Sequence, residues 1–143
     1  MIRKAEVKDI FYIDSLEKKV FKTSLSKEFL LQELTDTPFS HYFVFEKGKV
    51  VIGYIGFRVY DQNAEMMNFL IAPDYQNEGL GKELLNYSLD YLTHLDVKMI
   101  TLEVRKSNKR AQYIYEQQGF KVSHVRKQYY ENEDGYVYVK EVY

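Results

Sequence analysis

The hydrophobic period changes several times along the chain, and each change marks an element. After a short strand pattern over residues 2–5, Ile10, Ile13, Leu16 and Val20 recur at helical spacing, with Asp9 near the positive end of the predicted helix. Ser26 is the expected N-cap of a second helix, whose apolar face carries Phe29, Leu30 and Leu34. From residue 42 the pattern becomes strand-like. Residues 42–46 and Val50–Tyr60 are rich in β-branched and aromatic side chains and meet at Lys47-Gly48-Lys49, a hairpin signal. Asp61-Gln62-Asn63 turns the chain into a strand over residues 64–71, and Leu84, Leu85, Leu89 and Leu92 then stripe a helix. Residues 98–104 read as a strand with Ile100, Leu102 and Val104 on one face and Met99, Thr101 and Glu103 on the other. Ser107 is expected to cap a helix ending at Gln118, Gly119 suits its left-handed terminus, and strands near 120–125 and 136–142 complete the chain. The predicted order is βααβββαβαββ, an α/β (α+β) domain around a mixed sheet.

Composition narrows the class. A chain of 143 residues suits one domain with a real core, and with two prolines, no Gly/Ser linker and no repeat, residues 1–143 read as continuous. There are no cysteines, which excludes disulfides, thiolate metal sites and a cysteine nucleophile. His41, His94 and His124 show no ligand spacing, so no metal is expected. No apolar run approaches the ~20 residues of a membrane helix, and Met1-Ile2-Arg3-Lys4 leads directly into a strand pattern, so the expectation is a soluble, cytoplasmic protein. A net charge of −1 argues against nucleic acid or anionic lipid as a partner. Arg105, Lys106, Lys109 and Arg110 are the local exception, either a solvated face or a rim that attracts phosphate.

The segment Gln76-Asn77-Glu78-Gly79-Leu80-Gly81-Lys82 ends one strand and opens a helix. Such a turn points free backbone N–H groups at an anion, and a Cβ at Gly79 or Gly81 is expected to hold a diphosphate off the main chain. It is neither a P-loop, since Glu83 follows Gly81-Lys82, nor a dinucleotide fingerprint, since position 84 is Leu84. On its own the pattern fits a plain surface turn better than a phosphate site.

Downstream, Leu102-Glu103-Val104-Arg105-Lys106-Ser107-Asn108 is followed by Ala111, Tyr115-Glu116 and Gly119-Phe120. Together with the glycine turn and the order of elements, this stretch resembles the GNAT superfamily of acetyl-CoA-dependent N-acetyltransferases, and within it the RimI-type ribosomal-protein-alanine N-acetyltransferases. Arg3-Lys4-Ala5, Asp9-Ile10, Leu16-Glu17 and Phe21 fit the family's opening, and Tyr129-Tyr130 its late tyrosine pair. The resemblance implies a GNAT-like, mostly antiparallel sheet flanked by helices. It implies that the main chain at Phe69, Leu70 and Ile71 pairs with the pantetheine arm of acetyl-CoA, and that Asn77, Glu78, Gly79, Leu80, Gly81 and Lys82 surround the diphosphate. By the same resemblance Asn108 contacts the cofactor near its reactive end, Glu103 is the general base, Tyr115 the general acid, and Tyr129 and Tyr130 contact the acceptor peptide.

Those residue types suit the chemistry. An α-amine with a pKa of ~7.7–8.0 is largely protonated at neutral pH and must lose a proton before it attacks a thioester. A carboxylate can take that proton, a strand N–H can hold the oxyanion, and a phenol can protonate the departing thiolate. Lacking cysteine, the chain suits direct transfer in a ternary complex. The same residues also fit plainer roles: Glu103 as a cross-strand partner of a Lys or Arg, Tyr115 as core, Asn108 as the start of a helix, and Tyr129 and Tyr130 as sheet aromatics. The acceptor implied is a protein N-terminus, in the first instance an N-terminal alanine of a ribosomal protein. Small-molecule amines and lysine side chains are the alternatives, and a non-catalytic acetyl-CoA-binding module would be expected to lack Glu103 or Tyr115. The chain departs from its RimI-type relatives at Ser24-Leu25-Ser26, where they often carry Pro-Trp-Ser, and at Val137-Tyr138-Val139, where one register gives Glu-Asp-Ala. Glu131, Glu133 and Asp134 are candidate replacement carboxylates.

Overall fold

The computed structural model describes residues 1–21, 26–130 and 132–142, with Phe21 described by its backbone only. Seven strands form one sheet: β1 (Ile2–Lys4), β2 (Ser40–Lys47), β3 (Val50–Tyr60), β4 (Asn63–Ile71), β5 (Met99–Arg105), β6 (Lys121–Tyr130) and β7 (Glu133–Glu141). Their spatial order is β1-β2-β3-β4-β5-β7-β6, and every pair is antiparallel except β4 with β5. The four helices are α1 (Ile10–Phe21), α2 (Lys27–Thr35), α3 (Leu80–His94) and α4 (Lys109–Gln117). This is the mixed, mostly antiparallel architecture expected.

Both faces of the sheet are covered, which explains why β2 and β3 are apolar almost continuously rather than in alternation. On one face Phe43, Phe45, Ile52, Ile55 and Phe57 pack with Leu84, Leu85 and Leu92 of α3 and Tyr115 of α4. On the other, Tyr42, Val44, Val51, Tyr54 and Leu70 pack with Ile10 and Ile13 of α1 and Leu30 of α2. Successive side chains of a strand point to opposite faces, so each strand serves both clusters.

One irregularity opens the sheet. Gly56 pairs with Asn68 but Phe57 pairs with Met66, so Met67 is an extra residue on β4. A bulge of this kind bends and twists its strand. Met66 and Phe69 both belong to the α3/α4 side, so the two residues between them share the α1/α2 side. The parallel ladder between β4 and β5 ends at Glu65 opposite Thr101, and beyond it the strands diverge.

The C-terminal hairpin is longer than its sequence suggested. β6 begins at Lys121 and reaches Tyr130, and β7 starts at Glu133 rather than near 136. The cause is exposure: residues 121–129 are all solvent-exposed, so β6 carries no apolar alternation to announce it. Ser107 is not the cap of α4. Asn108 is, its Oδ1 accepting from the Ala111 N–H at 3.1 Å. Glu133 accepts instead from the Ser107 N–H at 2.9 Å and its hydroxyl at 3.0 Å.

Two buried carboxylates tie the α1/α2 side together. Asp9 receives both ends of the Arg3 guanidinium at 2.8 and 2.9 Å, and Glu33 receives Arg58 at 3.0 Å through each oxygen. Burial acts to raise the Glu33 pKa, but the Arg58 hydrogen bonds and charge, with the Tyr42 hydroxyl, outweigh it and hold the carboxyl below its ordinary value. A carboxyl depressed in the folded state stabilises the fold above its unfolded pKa, and that stability is lost as the pH falls through the folded value. Melting temperature is therefore expected to drop on acidification below the carboxylate range, and Glu33→Gln to flatten part of that dependence. An unchanged pH slope in the variant would assign the acid lability to other groups.

Candidate active site

Where β4 and β5 diverge the sheet is split by a cleft of about 1450 Å³ that both faces reach. Phe69, Leu70 and Ile71 line it from β4, past the last β5 pairing. No β5 residue pairs with that edge, and apart from the Ile71 carbonyl, which accepts from Gln76, its outward main-chain groups suit an extended ligand bonded as an added strand would be.

At the end of β4 the sequence builds a turn of a kind that suits an anion. Pro73–Tyr75 forms a 3-10 turn, Asn77 (φ 68°) and Gly79 (φ 79°) take left-handed conformations, and α3 starts at Leu80. The bond from the Glu83 N–H to the Gly79 carbonyl (3.1 Å) is the first of the helical ladder, so the N–H groups of Leu80, Gly81 and Lys82 have no helical acceptor. They lie at the positive end of a helix of 15 residues. Gln76 fastens this turn to the strand, its amide donating to the Ile71 carbonyl at 3.0 Å while Arg110 donates to its Oε1 at 3.4 Å. Sequence reasoning gave Gln76 no such role, although Gln at the head of a glycine turn was the available signal.

The expectation about the glycines needs dividing. Nothing lies within 4 Å of a Cβ built on Gly79, whose requirement is its positive φ. A Cβ on Gly81 instead meets Ile71 Cγ1 and Phe69 Cζ, each at 3.5 Å, so this glycine sets how closely α3 approaches β4. Asn77, Gly79, Gly81, Lys82 and Asn108 line the cleft with the β4 residues. Glu78 is exposed and outside the lining, and Leu80 packs its side chain against the core.

Glu103 and Tyr115 both line the cleft, from opposite sides of the sheet. Glu103 alternates with Leu102 and Val104, which face α3 and α4, and therefore points to the α1/α2 side. There Arg126 donates to its Oε1 at 2.6 Å. Tyr129 has its phenol pushed upward, first by a hydrogen bond to Glu103 and then by burial and that carboxylate's charge. The Arg126 guanidinium lies 4.2 Å over the Tyr129 ring and that of Arg105 4.3 Å over Tyr130, and the two rings meet edge to face at 5.0 Å. Glu103, Arg126 and the tyrosine pair are thus one connected lattice.

Tyr115 is 6% exposed and sits among Phe69, Phe120 and Tyr138, with its hydroxyl donating to Met66 Sδ at 3.6 Å. Burial, and secondarily the charge of Tyr130, pushes its phenol well above the ordinary value, so it keeps its proton through neutral and mildly alkaline pH.

The basic cluster is not one rim. Arg105 is held on the α1/α2 side by Tyr130 and by Glu133 at 3.3 Å, while Arg110 lies by the glycine turn. Glu133 and Asp134 are also committed, Glu133 as above and Asp134 accepting from the Gln128 N–H at 2.8 Å, so they are not free replacement carboxylates. Ser24, Leu25 and Glu131 lie outside the described residues. Ser26 caps α2, accepting from the Phe29 N–H at 3.1 Å. Among the described residues no three His, Asp or Glu side chains gather as a metal set, and no helix is long and apolar enough to cross a membrane.

The model of the Acetyltransferase (GNAT) family matches residues 7–120, a span that takes in the split β4/β5 pair and the glycine turn. The chain belongs to that family and is an N-acetyltransferase, for which acetyl-CoA is the acetyl donor. It is similar to the ribosomal-protein-bS18-alanine N-acetyltransferase of Escherichia coli (strain K12), 34% identical over 117 residues that make up 82% of this chain and 72% of that one. A Bacillus subtilis (strain 168) protein provisionally named for the same activity is 31% identical over 129 residues, 90% of this chain and 85% of its own length. The crystal structure of the Escherichia coli ribosomal-protein-S18-alanine N-acetyltransferase superposes with a TM-score of 0.92 at 25% identity, over 99% of this chain and 93% of that chain.

Proposed function

We propose that residues 1–143 act as one catalytic domain, in the cytoplasm, that acetylates the N-terminal α-amine of a protein, with an N-terminal alanine of a ribosomal protein as the leading acceptor. The observation that carries this reading is the cleft between β4 and β5, whose lining reaches both faces of the sheet; in this reading the donor lies on the α3/α4 side, by Gly81, Lys82 and Asn108, and the amine on the α1/α2 side, by Glu103. The relatives' names support the ribosomal acceptor.

The residues fit acetyl-CoA. The free edge of β4 at Phe69–Ile71 suits the amide-bearing arm, and the N–H groups of Leu80, Gly81 and Lys82 with the Asn77–Gly79 turn suit the diphosphate. When bound, acetyl-CoA supplies an activated acetyl thioester. Glu103 takes the ammonium proton of the acceptor, directly or through water. A strand N–H between Phe69 and Ile71 stabilises negative charge on the acetyl oxygen. Tyr115 holds a proton at Oη, which in this reading passes to the departing thiolate. Asn108 borders the donor from the start of α4, and Tyr129 and Tyr130 border the acceptor.

A second acceptor class has one observation in its favour. Val137, which in one register stands where RimI-type relatives often carry an acid, lines the cleft, and Tyr138 is buried in the core. A small-molecule amine or a lysine side chain is the corresponding reading. Incubation with labelled acetyl-CoA and a ribosomal protein mixture, followed by mass location of the acetyl group, separates the two. Label on a lysine, or on free amines alone, would overturn the terminal-amine reading.

Donor binding has its own test. Gly81→Val adds methyl groups to a Cβ already in contact with Ile71 and Phe69, and so lifts the start of α3 from β4. Loss of one well-aimed hydrogen bond to a charged group corresponds to about a 10–100-fold loss of acetyl-CoA affinity. Calorimetry on a variant whose circular dichroism is unchanged checks it, and parental affinity would remove the phosphate role of this turn.

A further inference from the structure

On α1, Glu17 is only 2% exposed, yet it lines the cleft with Val20 of the same helix and with Asn68 and Leu70 of β4. It lies on the α1/α2 side, the side to which Glu103 points. The bulge at Met67 is what keeps Asn68 turned toward it. The neighbouring positions that α1 turns to the sheet are apolar, Ile10, Ile13 and the half-buried Leu16. A carboxylate there costs the fold desolvation that another aliphatic side chain would not. The other buried acid of the helix, Asp14, is served by Lys18 at 3.1 Å on the solvent side. Glu17 faces inward, with Tyr54 among its neighbours. The fully buried Tyr54 feels it, its phenol being pushed upward by burial first and by the charge of Glu17 next.

A dry wall carrying negative charge at the amine's entrance suits a cation. The acceptor arrives as one, because an α-amine is largely protonated at neutral pH. We propose that Glu17 is an acceptor-binding residue, whose carboxylate holds the ammonium form of the incoming amine at the α1 wall of the cleft while its proton passes to Glu103. No bond forms or breaks at Glu17. The inference rests on the amine entering from the α1/α2 side, as in the proposed function. It gives the site a preference for charge: a terminal ammonium is chosen over a neutral group of the same shape.

The test uses the full chain with CoA present and two peptides of one sequence, one with its terminal amine and one with hydrogen in its place. A charge-assisted contact in a dry site leads to about a 10–100-fold preference for the amine peptide in the parent. Glu17→Gln is expected to cut that preference to what Glu103 alone supplies and to raise the acceptor KM, with CoA affinity unchanged and the circular dichroism of a folded chain. Glu17→Asp keeps the charge on a shorter arm and should retain part of the preference, which a purely structural role would not produce. A preference unchanged in Glu17→Gln overturns the proposal. Should the parent acetylate spermidine and no peptide, the terminal-amine reading falls separately. The acceptor KM for spermidine then decides Glu17, a rise in the variant supporting it and an unchanged value overturning it.

Discussion

Glu103→Gln is expected to lower turnover at neutral pH by ~10²–10⁴-fold if proton removal from the acceptor limits the rate. The substitution keeps the shape and the contact with Arg126 but removes the basicity. Arg126 makes this residue more informative than an isolated carboxylate, because the 2.6 Å contact from its guanidinium must loosen or share Glu103 when an amine arrives. Raising the pH should recover part of the loss, since more amine then arrives already deprotonated. Initial rates against pH, at saturating acetyl-CoA and with donor affinity measured separately, check both parts. Near-parental turnover at neutral pH would make Glu103 a structural partner of Arg126, and the base would have to be sought elsewhere.

What the sequence disclosed follows from how each element is stabilised. β2 to β5 and α3 are held by burial, so Ile52, Ile55, Leu84, Ile100 and Leu102 announced them through period and composition. β6 is held by ladder bonds to β7 and by side chains such as Arg126 and Tyr129, which carry no period, and its length was missed. The cap of α4 was misplaced by one residue because Ser107 and Asn108 are both good caps. Only Glu133, distant in sequence, draws Ser107 away. The glycine turn was legible as the junction of a strand with a helix, but Gly81 was read for its clearance from a ligand and not for its contact with Phe69 and Ile71. The cleft was invisible. It depends on one extra residue, Met67, in the pairing of two strands, and neither strand shows by itself where its ladder to a third will stop.

Tyr115→Phe should be nearly as damaging as loss of the base, about 10²–10⁴-fold in turnover if the phenol is the general acid, but with the opposite response to pH. Burial holds this phenol far above its ordinary value, so the parent keeps a proton at Oη across the range in which the amine titrates. Raising the pH supplies neutral amine but no proton for the leaving thiolate, and the variant's defect should persist or deepen where that of Glu103→Gln shrinks. The structural cost is limited, because the hydroxyl's partner is the Met66 sulfur at 3.6 Å, a weak acceptor, and the ring contacts with Phe69, Phe120 and Tyr138 survive in phenylalanine. A melting temperature close to the parent's is thus expected beside a large kinetic loss. Full turnover in Tyr115→Phe would leave Tyr115 as core, with water or another donor protonating the thiolate. Parallel pH profiles for the two variants would mean that Glu103 and Tyr115 do not divide the roles of base and acid.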